Sequence, residues 1–202
     1  MTKVFAITGG IGSGKTTLSK YLKQKKFFVH ESDKVVSEIY SNPSKGLKHL
    51  IKNNVSKKAV KKDKINKKEI ANIIFKDQKA KKIIEKYIHE EVRVSRQKFI
   101  KIHTNNKEKI IFADIPLLLE KKLEKKFDFV ICIISSKKNR TARVLKNKKF
   151  TKTTLNKIFK FQTTDKERRK RSQIIINNNK TKKDFIFEAK KALMRILKWE
   201  KL

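Results

Sequence analysis

Residues 9–16 read Gly-Gly-Ile-Gly-Ser-Gly-Lys-Thr, between a β-branched apolar run, "KVFAIT" at 3–8, and the segment "TTLSKYLKQK". In that second segment Leu18, Tyr21 and Leu22 recur at helical spacing. The pattern of a glycine, four residues, then Gly-Lys-Thr is met by Gly9, Gly14, Lys15 and Thr16. Strand, glycine turn and helix follow one another in the order that a phosphate-binding loop requires. Glycines let backbone N–H groups turn inward, and the positive end of the following helix faces the anion. In such a loop Lys15 would bridge the β- and γ-phosphates of a nucleoside triphosphate, and the Thr16 hydroxyl would ligate Mg²⁺.

The rest of the chain is patterned to surround that loop with a sheet. A second short strand fits "FFVH" at 27–30, and a helical stretch starts near Asp33. From 44 to 106 glycine and proline almost vanish and apolar residues recur three and four apart, as in Ile70, Ile73 and Ile74, then Ile83, Ile84, Tyr87, Ile88 and Val92. This predicts several helices, one of them spanning 77–103, as a helical insertion beside the sheet. Strand signals return at 109–115, 127–135 and 172–178. Continuous apolar strands alternating with helices predict an α/β fold: a five-stranded parallel sheet with helices on both faces. At 202 residues, one domain with insertions is expected.

The formal net charge of +36 points first to polyanions. Its distribution argues against a dedicated nucleic-acid face, because doublets such as Lys57-Lys58, Lys81-Lys82, Lys125-Lys126 and Lys148-Lys149 are scattered along the chain. Both a solvated lysine-rich surface and a nucleic-acid-binding NTPase are compatible with the charge alone, but no basic segment carries interleaved aromatics. No apolar stretch approaches the roughly 20 residues that cross a bilayer, and "MTKVFAITGG" lacks the layout of a signal peptide. A soluble, cytoplasmic protein without membrane attachment is expected, as monomer or weak homo-oligomer. Cys132, within "FDFVICIIS", is expected to pack as a small hydrophobe, and Trp199 to anchor the last helix.

Three further features bear on chemistry. Asp114 ends "KIIFAD", where a loop-type NTPase carries the acid that holds Mg²⁺, although a lone acid there also suits an ordinary turn. Asp33 follows the second strand; its carboxylate reads equally as acceptor of a hydroxyl proton and as a helix N-cap. Arg140 and Arg143 follow the fourth strand one helical turn apart, and "KERRKR" occupies 166–171. Such arginines either close over a transferring phosphoryl group or form a solvated face.

Taken in order, "TGGIGSGKTT", "ESD" at 31–33, "ADIPLLLE" at 113–120, the arginine-bearing helix, a glutamine and the terminal "IINN" resemble dephospho-coenzyme A kinase over residues 1 to about 180. The resemblance implies a P-loop NTPase fold with ATP and Mg²⁺ as cofactors and dephospho-coenzyme A as acceptor. It makes Gly10, Ile11, Gly12, Ser13, Gly14, Lys15, Thr16 and Thr17 the ATP loop, with Asn178 near the adenine, and Thr16 and Asp114 the metal ligands. It makes Lys15, Asp33, Arg140 and Arg143 catalytic, and places Asp33, His89, Pro116 and Leu117 on the acceptor. Residues 44–106 become the coenzyme-binding insertion and 140–165 the lid. The chain departs from the family pattern at Glu31 and Ser32, at Glu90 after His89, at Asn147 in place of a second lid arginine, and at Gln173 in place of an aspartate. A kinase for another small alcohol or for a nucleoside monophosphate is the alternative within the same class.

Overall fold

The computed structural model describes residues 1–61, 64–146 and 150–199, Trp199 by its backbone alone. Asn147, the substituted lid position, its neighbour Lys148 and the Trp199 side chain therefore lie outside the described residues. The chain forms two compact units, Met1–Glu31 with Ile100–Leu202, and Ser32–Phe99.

The first unit is built on β1 (Lys3–Gly9), β2 (Phe28–Glu31) and three later strands. Between β1 and β2 runs α1 (Lys15–Gln24). The second unit opens with α2 (Ser32–Ser41) and α3 (Lys45–Asn54), then β3 (Val60–Lys61), β4 (Lys64–Ile65) and α4 (Lys67–Lys76). Helix α5 (Gln78–Asn105) begins in it and ends in the first unit, which continues with β5 (Ile110–Asp114), β6 (Phe129–Ile134), α6 (Lys137–Lys146), α7 (Lys152–Phe161), α8 (Asp165–Lys170), β7 (Ile174–Asn177) and α9 (Lys182–Trp199).

The sheet of the first unit has the order β2-β5-β1-β6-β7, and every pairing is parallel. Strand β1 lies at its centre. The chain moves from β1 to one side through β2 and β5, then crosses to the other through β6 and β7. The carboxyl end of β1 is thus the switch point, where open α/β sheets gather ligands. Alternate residues of each strand face opposite layers. Phe5 and Ile7 join Phe112, Ile131, Ile133, Ile174 and Ile176 in a core covered by Leu18 and Leu22 of α1 and by Phe185, Ala189, Leu193 and Ile196 of α9. Phe5 stacks on Phe129 with ring centres 4.9 Å apart.

The opposite face is lined by small residues, Ala6, Ala113 and Val130, against which Ile115, Leu118 and Leu119 pack. Short side chains on the strands leave room for the large ones of the loop after β5. Just before β7, Gln173 closes the ladder: its backbone N–H donates to the Val130 carbonyl at 3.1 Å, and its side-chain Oε1 accepts from the Val130 N–H at 2.8 Å. An aspartate could supply that acceptor on a shorter arm, so Gln173 is accounted for by strand pairing. The α/β expectation, with five parallel strands, agrees with the observed sheet.

The second unit has its own core of Leu47, Ile51, Ala59, Val60, Ile70, Ile84, Ile88 and Val92. Asn66 caps α4 by accepting from the N–H groups of Lys68 and Glu69, both at 3.1 Å, and Asp77 accepts from Lys79 at 2.8 Å and Ala80 at 3.0 Å where α5 begins. The region expected as helices alone also holds the antiparallel pair β3–β4, in which Val60 faces Ile65. Two residues per strand are too few for a period of two to register.

Candidate active site

At the end of β1 the backbone takes three left-handed turns, with φ of 151° at Gly9, 73° at Gly12 and 114° at Gly14. The third is enforced by helix initiation, because Thr17 and Leu18 both donate to the Gly14 carbonyl, at 3.0 and 3.1 Å. Lys15 folds back over the turn, its Nζ 3.1 Å from the Gly9 carbonyl oxygen.

Two side chains hold the loop from the β6–β7 side. Asn178, buried one residue beyond β7, donates from Nδ2 to the Ser13 carbonyl at 2.7 Å. Arg143 on α6 donates to the Gly12 carbonyl at 3.4 Å, to Ser135 Oγ at 3.1 Å, and to Asn178 O and Oδ1 at 2.8 and 3.1 Å. A trans peptide sends its N–H opposite to its C=O, so fixing the Ser13 carbonyl also fixes the direction of the Gly14 N–H. The guanidinium of Arg143 is spread over fixed acceptors.

The other flank is ionic. Gln162, after α7, accepts from the Ile11 N–H at 3.1 Å. A side chain added at Gly10 would run into Arg140 Nη1, with Arg168 Nη1 and Gln162 Oε1 each 3.1 Å away. Arg140 is 9% exposed and Arg168 only 3%. Asp165 lies between them, with Oδ2 3.7 Å from Arg140 Nη2 and Oδ1 3.0 Å from Arg168 Nη1. Glu120 holds Arg168 Nη2 at 3.3 Å and accepts from the Thr163 N–H at 2.9 Å. Phe159 presents its ring 5.1 Å from Arg140 Cζ. Burial pushes the Arg140 guanidinium below its usual range; Asp165 opposes that shift and Arg168 adds to it.

Asp114 ends β5, 8% exposed, in register with Ile7 of β1 and Glu31 of β2. Ser19 Oγ, one turn beyond Thr16 on α1, donates to Asp114 Oδ2 at 3.2 Å, which ties the carboxylate to the helix that the loop feeds. Glu31 pairs with Lys23 of the same helix. A hydroxyl and a carboxylate are hard oxygen donors, and among the described residues no three His, Cys, Asp or Glu side chains cluster. Such a sparse oxygen set fits Mg²⁺, which keeps several waters and takes other ligands from phosphate. Pro116 is half-buried, and Leu117, 40% exposed, turns out of the segment whose next two leucines enter the core.

Asp33 and His89 belong to the second unit. Asp33 sits exposed in the first turn of α2, inside the helix that starts at Ser32, so it is not the N-cap. His89 is on the exposed surface of α5. Sequence reasoning missed Glu120 and Asp165 as part of the loop's surroundings, and left Arg168, within "KERRKR", between a phosphoryl-facing role and a solvated face. Glu120 and Arg168 pair across 48 residues, which leaves no local signature, whereas Asp165 and Arg168 are three residues apart on α8.

A parallel sheet whose first strand runs into this loop, flanked by buried arginines, defines a phosphate-loop kinase. Residues 3–184 match the family model of dephospho-CoA kinase, and the chain belongs to that family of ATP-dependent phosphotransferases. The chain is 30% identical over 182 residues to the dephospho-CoA kinase of Fusobacterium nucleatum, covering 90% of this chain and 92% of that one. Against its Oceanobacillus iheyensis counterpart the identity is 30%, over 98% of both chains. The solved structure of dephospho-CoA kinase from Campylobacter jejuni superposes with a TM-score of 0.74 at 25% identity, covering 97% of this chain and 98% of the other.

Proposed function

We propose that the chain transfers the γ-phosphoryl group of ATP to the ribose 3'-hydroxyl of dephospho-coenzyme A, giving coenzyme A and ADP, and that the residues assembled around the loop divide the work as follows. The inward amides of Gly12 to Thr17 and the Lys15 ammonium hold the β- and γ-phosphates. Thr16 and Asp114 hold Mg²⁺, which when bound screens the phosphate charge. Asp33 accepts the proton of the 3'-hydroxyl as its oxygen bonds to the γ-phosphorus, while the bond from that phosphorus to the β,γ-bridging oxygen breaks and ADP leaves. Pro116, Leu117 and His89 contact the acceptor.

Arg140 faces the γ-phosphoryl group from the side of Gly10, and the 140–165 segment keeps water out, since water would otherwise accept the group. We assign Arg143 and Asn178 to holding the loop, because their donors are directed at its carbonyls. The location that suits this reading is the cytoplasm, where ATP is available as phosphoryl donor.

The observation that carries this reading is the convergence of Arg140 and Arg168 on Gly10, in the loop that also carries Lys15, which concentrates cationic donors where a transferring phosphoryl group would sit. The test is ADP formation with Mg²⁺ and ATP in the presence of dephospho-CoA, AMP, shikimate, single-stranded RNA or no acceptor. Turnover with dephospho-CoA alone, with coenzyme A as product, is expected. Activity with a different acceptor and none with dephospho-CoA would overturn the assignment of substrate.

A further inference from the structure

The Arg168 guanidinium is almost wholly withdrawn from solvent, yet it lies 3.1 Å from the position a Cβ would take on Gly10 of the phosphate loop. Its two terminal nitrogens are divided between two carboxylates, Nη1 to Asp165 at 3.0 Å and Nη2 to Glu120 at 3.3 Å. Glu120 is anchored in turn by the Thr163 N–H, and Asp165 reaches across with its other oxygen to Arg140.

Arg140 itself is loosely held. Its Nε has no hydrogen-bond partner among the described residues, its ion pair is stretched to 3.7 Å, and its contact with Phe159 is to a ring 5.1 Å from Cζ, which carries no directional hydrogen bond. Two buried guanidinium groups beside one glycine repel each other unless a carboxylate stands between them. The geometry of Arg140 against the loop is therefore set by its neighbours.

From this we infer that Arg168 is a positioning residue for phosphoryl transfer: bracketed by Glu120 and Asp165, it fixes the Asp165 carboxylate that aims Arg140 at the phosphoryl group. This rests on the assignment of Arg140 given above. Lysine cannot fill the position, because one ammonium nitrogen cannot span two carboxylates that a planar fork spans. Asp165 is the hinge of the arrangement, and Glu120 supplies the fixed end.

The experiment is a mutant cycle read by steady-state kinetics and thermal melting. The variants are Arg168→Lys, Asp165→Asn and Arg140→Met, with Arg168→Lys and Asp165→Asn each also combined with Arg140→Met. Misaiming a catalytic group by about 1 Å is expected to lower kcat by about 100-fold. Arg168→Lys should show a fall of that order with the KM for ATP little changed, and neither double variant should fall below Arg140→Met alone, since residues acting through one another are not additive.

Asp165→Asn leaves the Arg168–Glu120 pair in place and should fold even where Arg168→Lys does not; it should lower kcat in the same way. Normal kcat in both Arg168→Lys and Asp165→Asn would overturn the proposal, as would losses that multiply with that of Arg140→Met. Wild-type turnover in Arg140→Met would instead overturn the assignment of Arg140, and this proposal with it. A large loss in Arg140→Met with multiplicative losses in the doubles sinks the positioning role alone.

Discussion

Arg143 donates to both oxygens of Asn178, backbone and side chain, while the amide nitrogen of Asn178 reaches the Ser13 carbonyl. The arginine and the asparagine thus act as one unit that presents two donors to the loop. Removing either should loosen the loop without removing a charge that moves with the phosphoryl group. Each lost buried hydrogen bond costs about 1 to 2 kcal/mol. Arg143→Met and Asn178→Ala are therefore expected to raise the KM for ATP about tenfold. Kinetics with ATP as the varied substrate, and calorimetric titration of ADP, check this.

Among the described residues Lys15 hydrogen-bonds to the Gly9 carbonyl alone, so its loss should cost little stability. As the cation that follows charge onto the leaving oxygen it should matter far more to rate. Lys15→Ala is expected to lower kcat by about 100-fold or more with the melting temperature nearly unchanged. Near-normal turnover would contradict its assignment.

Gly12 combines a φ of 73° with close neighbours: an added Cβ would lie 2.8 Å from the Arg140 carbonyl oxygen and 2.8 Å from Val144 Cγ2. The left-handed conformation alone disfavours any other L-residue by about 1 to 2 kcal/mol. The contact with backbone of α6 adds to that. Gly12→Ala should therefore lower both the melting temperature and nucleotide affinity, measured by circular dichroism and by ADP titration.

Asp33→Asn preserves the shape of an exposed side chain in the first turn of α2. If the carboxylate takes the acceptor's proton, kcat should fall by about 100- to 10,000-fold with the KM for ATP unchanged. Loss of ATP binding in its place would mean that Asp33 is structural.

Cys132 lies in β6 under the sheet's cover, and burial pushes its thiol up to about 11. The folded value is above that of an unfolded cysteine, about 8.5. Its contribution to stability is therefore complete below that pH and is lost as pH climbs toward 11. At pH 7.5 iodoacetamide should leave the native protein unlabelled and should label it fully in denaturant.

The five strands of the parallel sheet were legible because each is an apolar run bounded by a turn, and α5 because its buried residues, Ala80, Ile84, Ile88 and Val92, keep a helical period. The phosphate loop was legible because its glycines are demanded by backbone geometry. The surroundings of the loop were not. "KERRKR" reads either as arginines that close over a phosphoryl group or as a solvated face, and the meeting of Arg168 with Glu120, 48 residues away, is what turns that arginine inward. The resemblance implies Arg143 in the lid and Asn178 near the adenine; the bonds that both make to the loop itself carry no sequence signature. The pairings that decide such roles join residues 35 to 165 positions apart, beyond the reach of any local pattern.

The hydrogen bond from Asn178 to Ser13 also bears on how the protein is made. The loop leaves the ribosome early, but the asparagine that fixes it is synthesised 165 residues later, after β7 has paired with β6. A half-made chain therefore carries the nucleotide motif without the support that shapes it. Nucleotide should therefore bind such intermediates more weakly than the finished protein, and the nascent sheet depends more on its own packing until its last strand is in place.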